Sequence, residues 1–229
     1  MKRLPFLLPL ALAGAPAAAA EPQWAAAPPP KLTPRLHLTL DRFRYFTDCV
    51  ADDQWDMARP LFDTRIGSAE ESQILSRLTG GGYGSKCSYA FRMRMTSMLM
   101  RGGIAESRYR QVFGDRVPAA AAGGTPPVPA GASFRWVGFQ KDSAARHLNA
   151  FATCLARGEP AAVHNVLVER IGSKGERLAL QALSRRFGAC LAPGQKLQAN
   201  SLTLRPWLAE AQYQQFRSRD PGRRQEASR

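Results

Sequence analysis

A four-residue motif occurs twice in this chain, as Arg65-Ile66-Gly67-Ser68 and, 105 residues later, as Arg170-Ile171-Gly172-Ser173. Glycine adopts the left-handed conformation without strain, and a serine side chain accepts a hydrogen bond from the first turn of a helix. A glutamate follows three residues after each serine, as Glu71 and Glu176, and completes a capping box. We therefore expect each glycine to end a second helix and each serine to begin a third. The alternative is an anion site at the capped helix starts, beside the arginines of the motif.

The motif belongs to a longer internal repeat. Residues 46–78 align with residues 151–183 without a gap, and ten of the 33 aligned positions are identical. Beyond this block the register slips by one or two residues, and Arg101 and Glu106 then correspond to Arg205 and Glu210. Self-similarity of this kind indicates two copies of one supersecondary unit. The predicted fold is mainly α, with two tandem copies of a disulfide-stapled helical unit.

Apolar residues at helical spacing predict the buried faces of the helices. The first helix carries them at i, i+3 and i+7, as Phe43, Phe46 and Val50 in the first copy and Leu148, Phe151 and Leu155 in the second. The second helix carries Ala58, Leu61 and Phe62, answered by Val163, Val166 and Leu167, and the last helix carries Ile104, Tyr109 and Val112, answered by Leu208, Tyr213 and Phe216. Pro60 predicts a late start or a kink in the first copy, whereas Pro160 suits the first turn of its helix. Alternation of Phe91, Met93 and Met95 with arginines favours one short strand per copy, although a helix also fits.

Composition divides the rest of the chain. Lys2 and Arg3 precede an apolar run, and Ala18-Ala19-Ala20 suits signal peptidase, so we expect cleavage near Ala20 and a periplasmic or secreted protein without a transmembrane segment. The predicted organisation is a signal peptide at 1–20, a Pro/Ala-rich linker at 21–35, repeat unit 1 at 36–113, a Pro/Gly/Ala-rich linker with an aromatic cluster at 114–140, repeat unit 2 at 141–217, and a basic disordered tail at 218–229.

Four cysteines in an exported chain indicate disulfides. Three pairings are possible, and the repeat favours one bridge inside each unit, Cys49 with Cys87 and Cys154 with Cys190. A metal site or a redox-active thiol is the alternative, but no Cys-x-x-Cys spacing supports either.

The second unit carries most of the positive charge. The whole chain has a formal charge of +14; residues 36–113 hold 11 Lys/Arg against 9 Asp/Glu, and residues 141–217 hold 11 against 5. A basic exported protein meets anionic lipid, glycan or envelope protein before nucleic acid, which is not an expected partner. Candidate binding residues are Arg65, Arg170, Arg185 and Arg186. Such charge also keeps a protein in solution without binding anything.

No catalytic motif is present. The chain has no Gly-x-Ser-x-Gly, His-Glu-x-x-His or phosphate-binding Gly-x-x-x-x-Gly-Lys-Ser/Thr, so no catalytic residue, metal or cofactor is predicted. Clustered methionines bind Cu(I) in some proteins, but Met93, Met95, Met98 and Met100 align with residues that lack sulfur and are expected to fill the core. His164 aligns with Arg59, which indicates a solvated position.

The predicted function is a non-catalytic exported interaction module. It is expected to bind an envelope protein or an anionic lipid or glycan surface, with an oligomeric state that the sequence leaves open. The alternative is an enzyme of unfamiliar type that uses Glu106 or Glu210 in a cleft between the units. The simpler interpretation places these glutamates at the surface or at helix starts, each paired with the arginine five residues earlier.

Overall fold

The structure is a computed structural model, and it describes residues 34–80, 87, 96–114, 116–117, 143–191, 201–217 and 220, with side chains described from residue 38 in the first range and from residue 148 in the range 143–191. These residues are mainly helical and contain no strand. The α-helices are α1 (Pro34–Asp53), α2 (Trp55–Ala58), α3 (Ala69–Thr79), α4 (Ser97–Phe113), α5 (Ser143–Gly158), α6 (Pro160–Val168), α7 (Lys174–Ser184) and α8 (Ser201–Phe216). Two 3-10 segments, Arg59–Asp63 and Phe187–Cys190, follow α2 and α7.

Helices α4 and α8 lie against each other at the centre of the molecule. Helix α1 packs on α4, and α5 packs on α8, so the four long helices form one continuous core. Gly102 of α4 meets Pro206 of α8 where the two helices touch: a Cβ on Gly102 would lie 2.5 Å from the Cβ of Pro206. Glycine is therefore required at this point, because any larger residue would push the central helices apart.

The predicted helix faces are buried. Phe46, Val50, Phe151 and Leu155 are core residues, as are the predicted apolar residues of the second helix in each half. Val112 and Leu148 are only partly buried. We refer to the described residues of 34–117 as the first half and to those of 143–220 as the second half. The last helix of the first half begins at Ser97, well before the predicted Ile104, because the side chain of Thr96 caps it.

The second helix differs between the halves, as its prolines predict. In the first half α2 gives way after one turn to the 3-10 segment that contains Pro60. In the second half α6 is a regular helix that begins at Pro160. A proline in the first turn removes no hydrogen bond from the helix, whereas one further along does.

The recurring motif forms the predicted capping boxes. Ser68 and Ser173 accept hydrogen bonds from the backbone N–H of Glu71 and Glu176. Gly67 and Gly172 both have φ of 79°, in the left-handed region that favours glycine. The prediction that they end the second helix is wrong, because the helical segments end at Asp63 and Val168. Each glycine instead closes a turn between the arginine and the serine of its motif.

Disulfides join Cys49 to Cys87 and Cys154 to Cys190, the pairing that the spacing predicts. In both, the Cα atoms are 5.7 Å apart. Closing loops of this size stabilises each half by about 4 kcal/mol on the chain-entropy model.

Several predictions fall on residues outside those described. These are the signal peptide, the short strand near Phe91, Met93 and Met95, the aromatic cluster of the linker, and most of the tail. Met100, which is described, is buried in the core as predicted.

Candidate functional site

A cluster of buried charges lies where α4 and α8 meet. Arg101 on α4 donates to Glu210 on α8 at 2.8 Å. Arg205 on α8 donates through Nε and Nη2 to the two carboxylate oxygens of Glu106 on α4, at 2.7 and 2.9 Å. None of the four side chains is more than 11% exposed. The interpretation of Glu106 and Glu210 as surface acids, each paired with the arginine five residues earlier, is therefore wrong.

Each arginine also reaches the capping-box glutamate of its own half. Nη1 of Arg205 donates to Glu176 at 2.8 Å, and Nη1 of Arg101 lies 3.6 Å from Glu71. Both glutamates also accept the backbone N–H of the motif glycine, Gly67 or Gly172. The capping box thus positions a carboxylate under the arginine as well as starting a helix.

The arginines satisfy backbone carbonyls at the ends of the second helices. Arg205 donates to the carbonyl oxygens of Val166, Leu167 and Glu169 at 2.7 to 2.9 Å. Arg101 donates to the carbonyl and the hydroxyl of Thr64. The last carbonyls of a helix have no partner inside the helix, so a buried guanidinium here serves as a cap.

Opposite effects act on the pKa of these arginines. Burial lowers the pKa of Arg205, but the charges of Glu106 and Glu176 outweigh it, and the pKa is raised. The pKa of Arg101 is raised in the same way, by Glu210 and then Glu71 against burial. Both arginines therefore stay charged, and the cluster is held together as ion pairs.

The contact of Arg101 with Glu71 is weaker than the corresponding contact of Arg205 with Glu176. One carboxylate oxygen of Glu71 is buried without a hydrogen-bond partner, whereas the corresponding oxygen of Glu176 accepts from Arg205. Burial raises the pKa of Glu71, and its hydrogen bond from Gly67 and the charge of Arg101 offset this only in part. The longer contact to Arg101 is the geometric reason for the difference.

A second buried polar group joins α4, α6 and α8. The hydroxyl of Tyr109 lies 2.9 Å from Nδ1 of His164 and accepts a hydrogen bond from Gln212 at 3.1 Å. The Tyr109 hydroxyl thus connects His164 on α6 to Gln212 on α8. Burial lowers the pKa of His164 and raises that of Tyr109 to about 12. The expectation that His164 is solvated is wrong, since it is 6% exposed.

Asp220 binds back onto the first half. Its carboxylate takes both Nε and Nη2 of Arg108, at 2.8 and 2.6 Å, and the hydroxyl of Tyr213 at 3.2 Å. The Arg108 guanidinium lies 4.6 Å from the ring centre of Trp55. Asp220 is fully buried, although it lies within the stretch 218–229 that the sequence assigns to a tail.

The four predicted binding arginines are exposed but do not form one group. Arg170 pairs with Asp41 at 3.0 Å, with both side chains more than half exposed. Arg185 and Arg186 follow α7, whose 11 residues span about 16 Å and separate them from Arg170. Arg65 occupies the corresponding position of the first half, and no ion pair to it is found among the described residues.

Arg185 and Arg186 belong to a larger exposed basic surface, which we call the basic face of α7. It consists of exposed Lys174 and Arg177 within the helix and Arg185 and Arg186 after it, with Leu178 between them at 55% exposure. The one glutamate of α7, Glu176, is buried. Helical spacing alone could have identified Lys174 and Arg177, because they lie on the face opposite the apolar residues.

A small cavity borders the charge cluster between α1, α4 and the loop before α7. It has a volume of about 40 Å³, and Glu106, Arg110, Arg170 and Arg205 contribute to its lining. That is space for a few water molecules, whereas sites for small-molecule ligands are far larger.

Within the described part of the chain, no helix is both long enough and apolar enough to cross a membrane. The same residues contain no group of His, Cys, Asp and Glu side chains that could hold a metal ion. Comparison with protein families, curated proteins and solved structures finds no match to this chain.

Proposed function

We propose that this is an exported, non-catalytic protein of two tandem helical units that binds an envelope protein or an anionic envelope component through its second half. The observation that carries the proposal is how its charges are distributed. Arg101, Arg205, Glu106 and Glu210 are buried and neutralise one another, whereas the basic face of α7 is exposed and carries no exposed acid of its own.

The tandem organisation is supported by the correspondence of contacts. Arg101 with Glu210 and Arg205 with Glu106 are the same pair exchanged between the aligned positions. Two copies related by a pseudo-two-fold axis make reciprocal contacts of this kind, as two subunits do in an isologous dimer. The two disulfides and the two capping boxes occupy aligned positions as well.

A non-catalytic role is supported by how the recurring carboxylates are used. Glu106 accepts two hydrogen bonds from Arg205, and Glu210 accepts from Arg101 and Gln214. A catalytic carboxylate needs room for a substrate beside it, and the cavity next to Glu106, at about 40 Å³, is large enough for only a few waters. Export is supported by the two disulfides, which persist in oxidising compartments.

The test is affinity capture of the mature, disulfide-intact protein from envelope extract at low and high salt. We expect a stoichiometric component that Arg185→Glu/Arg186→Glu loses and that high salt releases. Arg77→Glu/Arg116→Glu is the matched control, because it reverses the same number of exposed charges outside the second half. Capture of the same component by all three proteins would contradict the assignment to the second half, and capture of nothing would contradict the binding function.

A further inference from the structure

We infer that the basic face of α7 binds an anionic lipid surface. The inference rests on the proposed function and names the class of its partner.

The residues of the basic face lie along one line. Lys174, Leu178 and Arg185 are separated by four and seven residues, spacings that place side chains above one another on a helix. Arg177 borders this line, and Arg186 extends it past the end of the helix. Two cationic ends therefore flank one exposed leucine over about 16 Å.

The cations of this face form few ion pairs with the rest of the described chain. Among the described residues, the only ion pair to them is a 3.5 Å contact from Arg186 to Glu159. Arg177 donates to the carbonyl of Gly172, at the foot of the same helix. Lys174 and Arg185 are exposed, so their charges face solvent.

Lys174 occupies a position at which a positive charge destabilises a helix. It is the first residue of α7, and the N-terminus of a helix favours acidic residues. The aligned start of α3 is Ala69-Glu70, which follows that preference, whereas α7 has Lys174-Gly175. The carboxylate of Glu169 also lies at this helix start, where it accepts a hydrogen bond from Ser173 and borders Gly175, but no ion pair from it to Lys174 is found among the described residues. An exposed cation that departs from its local preference suggests a role in function.

The position of α7 and the types of its exposed residues favour a lipid partner over a protein partner. Helix α7 packs mainly on α6 and lies at the periphery, where a flat surface can reach it. Its exposed residues include no aromatic side chain, whereas protein interfaces centre on aromatic and arginine anchors in fitted pockets. An anionic bilayer instead attracts each Lys or Arg almost independently and takes a single leucine into its interface.

The test is sedimentation of the mature, disulfide-intact protein with vesicles of phosphatidylglycerol and phosphatidylcholine, and with vesicles of phosphatidylcholine alone. We expect binding to the anionic vesicles only, and loss of that binding at high salt. Lys174→Gln/Arg185→Gln should weaken it roughly 30-fold, because each cation near the surface contributes about 1 kcal/mol. The matched control Arg77→Gln/Arg116→Gln removes the same net charge from exposed residues outside α7 and should bind nearly as wild type.

Equal loss in both double variants would overturn the assignment to α7, since net charge alone would then explain binding. Failure of the wild type to bind anionic vesicles would overturn the lipid inference. If capture of an envelope protein still depends on Lys174 and Arg185 in that case, the proposed function stands with a different partner. If neither vesicles nor extract supply a partner, both proposals fail.

A spectroscopic probe checks the geometry of contact. Leu178→Trp places an indole at the centre of the basic face, where it is half exposed. Its fluorescence should shift to shorter wavelength with anionic vesicles. An unchanged spectrum under conditions in which the protein sediments would show that another surface makes the contact.

Discussion

Removing one partner of the buried pair Arg205–Glu106 should destabilise the protein far more than removing one partner of the exposed pair Arg170–Asp41, although both pairs connect the first half to the second. Arg205 and Glu106 are 3% and 11% exposed, whereas Arg170 and Asp41 are 65% and 53% exposed. Removing one partner of a buried pair leaves the other charge without compensation, whereas exposed ions are solvated by water.

The change with the smallest steric effect is Glu106→Gln. It removes the carboxylate that takes two hydrogen bonds from Arg205 and that lies 3.7 Å from Nε of Arg110. In this variant Arg205 still donates to Glu176 and to its backbone acceptors, and the new amide oxygen still accepts one hydrogen bond. The free energy of unfolding should therefore fall by about 3 kcal/mol, the low end for a broken buried pair. Asp41→Asn should cost about 0 to 1 kcal/mol.

The assay is urea unfolding of the oxidised protein, followed by both circular dichroism and tryptophan fluorescence. Coincident transitions would justify a two-state analysis. With a slope of about 2 to 3 kcal/mol per molar urea, Glu106→Gln should lower the midpoint by about 1 M or more, and Asp41→Asn by less than about 0.5 M. Glu210→Gln removes the reciprocal pair and should behave like Glu106→Gln.

The reasoning fails if Glu106→Gln and Asp41→Asn destabilise the protein equally. That result would mean that the buried ions gain no more than solvated ones, and that apolar packing of α4 on α8 alone joins the halves.

Four further predictions concern the other buried ionisable groups. Glu71→Gln should cost about 1.5 kcal/mol less than Glu176→Gln at pH 7, because only Glu176 accepts a close charged hydrogen bond. Burial raises the pKa of Glu71 above 4.5, so the folded state holds the Glu71 proton more tightly than the unfolded state does. The contribution of Glu71 to the free energy of unfolding therefore falls as the pH rises above about 4.5. Glu71→Gln should remove that part of the pH dependence in urea unfolding. Burial lowers the pKa of His164 below 6.5, so the unfolded state binds this proton more readily, and stability should fall as the pH drops below about 6.5 in wild type and less in His164→Gln. Asp220→Asn should cost about 3 kcal/mol in thermal or urea unfolding, because it leaves the Arg108 guanidinium, which is 15% exposed, without its carboxylate.

Exposed neighbours supply the controls for these variants. Glu70→Gln and Asp52→Asn change the same types of group on the surface and should each alter stability by less than about 0.5 kcal/mol. Equal effects of Glu71→Gln and Glu176→Gln would contradict the inequality of the two half-clusters. An unchanged acid response in His164→Gln would show that other groups titrate in its place, and a neutral Asp220→Asn would show that this residue is not held by Arg108.

Local sequence predicted the parts of the fold that depend on neighbouring residues. The buried faces of the helices follow from apolar spacing of three and four residues, and the capping boxes follow from a serine and a glutamate three residues apart. The disulfide pairing followed from the repeat, because a bridge inside one unit is possible in both copies with nearly the same loop length.

Local sequence was misleading wherever a residue's environment comes from distant parts of the chain. His164 was expected in water because its aligned partner is an arginine, but Tyr109, 55 residues earlier, encloses and binds it. Asp220 was assigned to a disordered tail on composition, but Arg108, 112 residues earlier, takes its carboxylate. No periodicity reports contacts at such separations.

A mainly helical chain with two disulfides and a basic second half follows from local sequence, because helix propensity, capping and disulfide spacing act within a few turns or one unit. The pairing of Arg101 with Glu210 and of Arg205 with Glu106 depends on how the helices pack. An arginine five residues before a glutamate on one helix lies on a different face from it, and the crossing of α4 and α8 supplies a partner 109 or 99 residues away. That crossing buries these four charges, which are stable there because each is paired. The exposed cations Lys174 and Arg185 need no such partner, because water stabilises them.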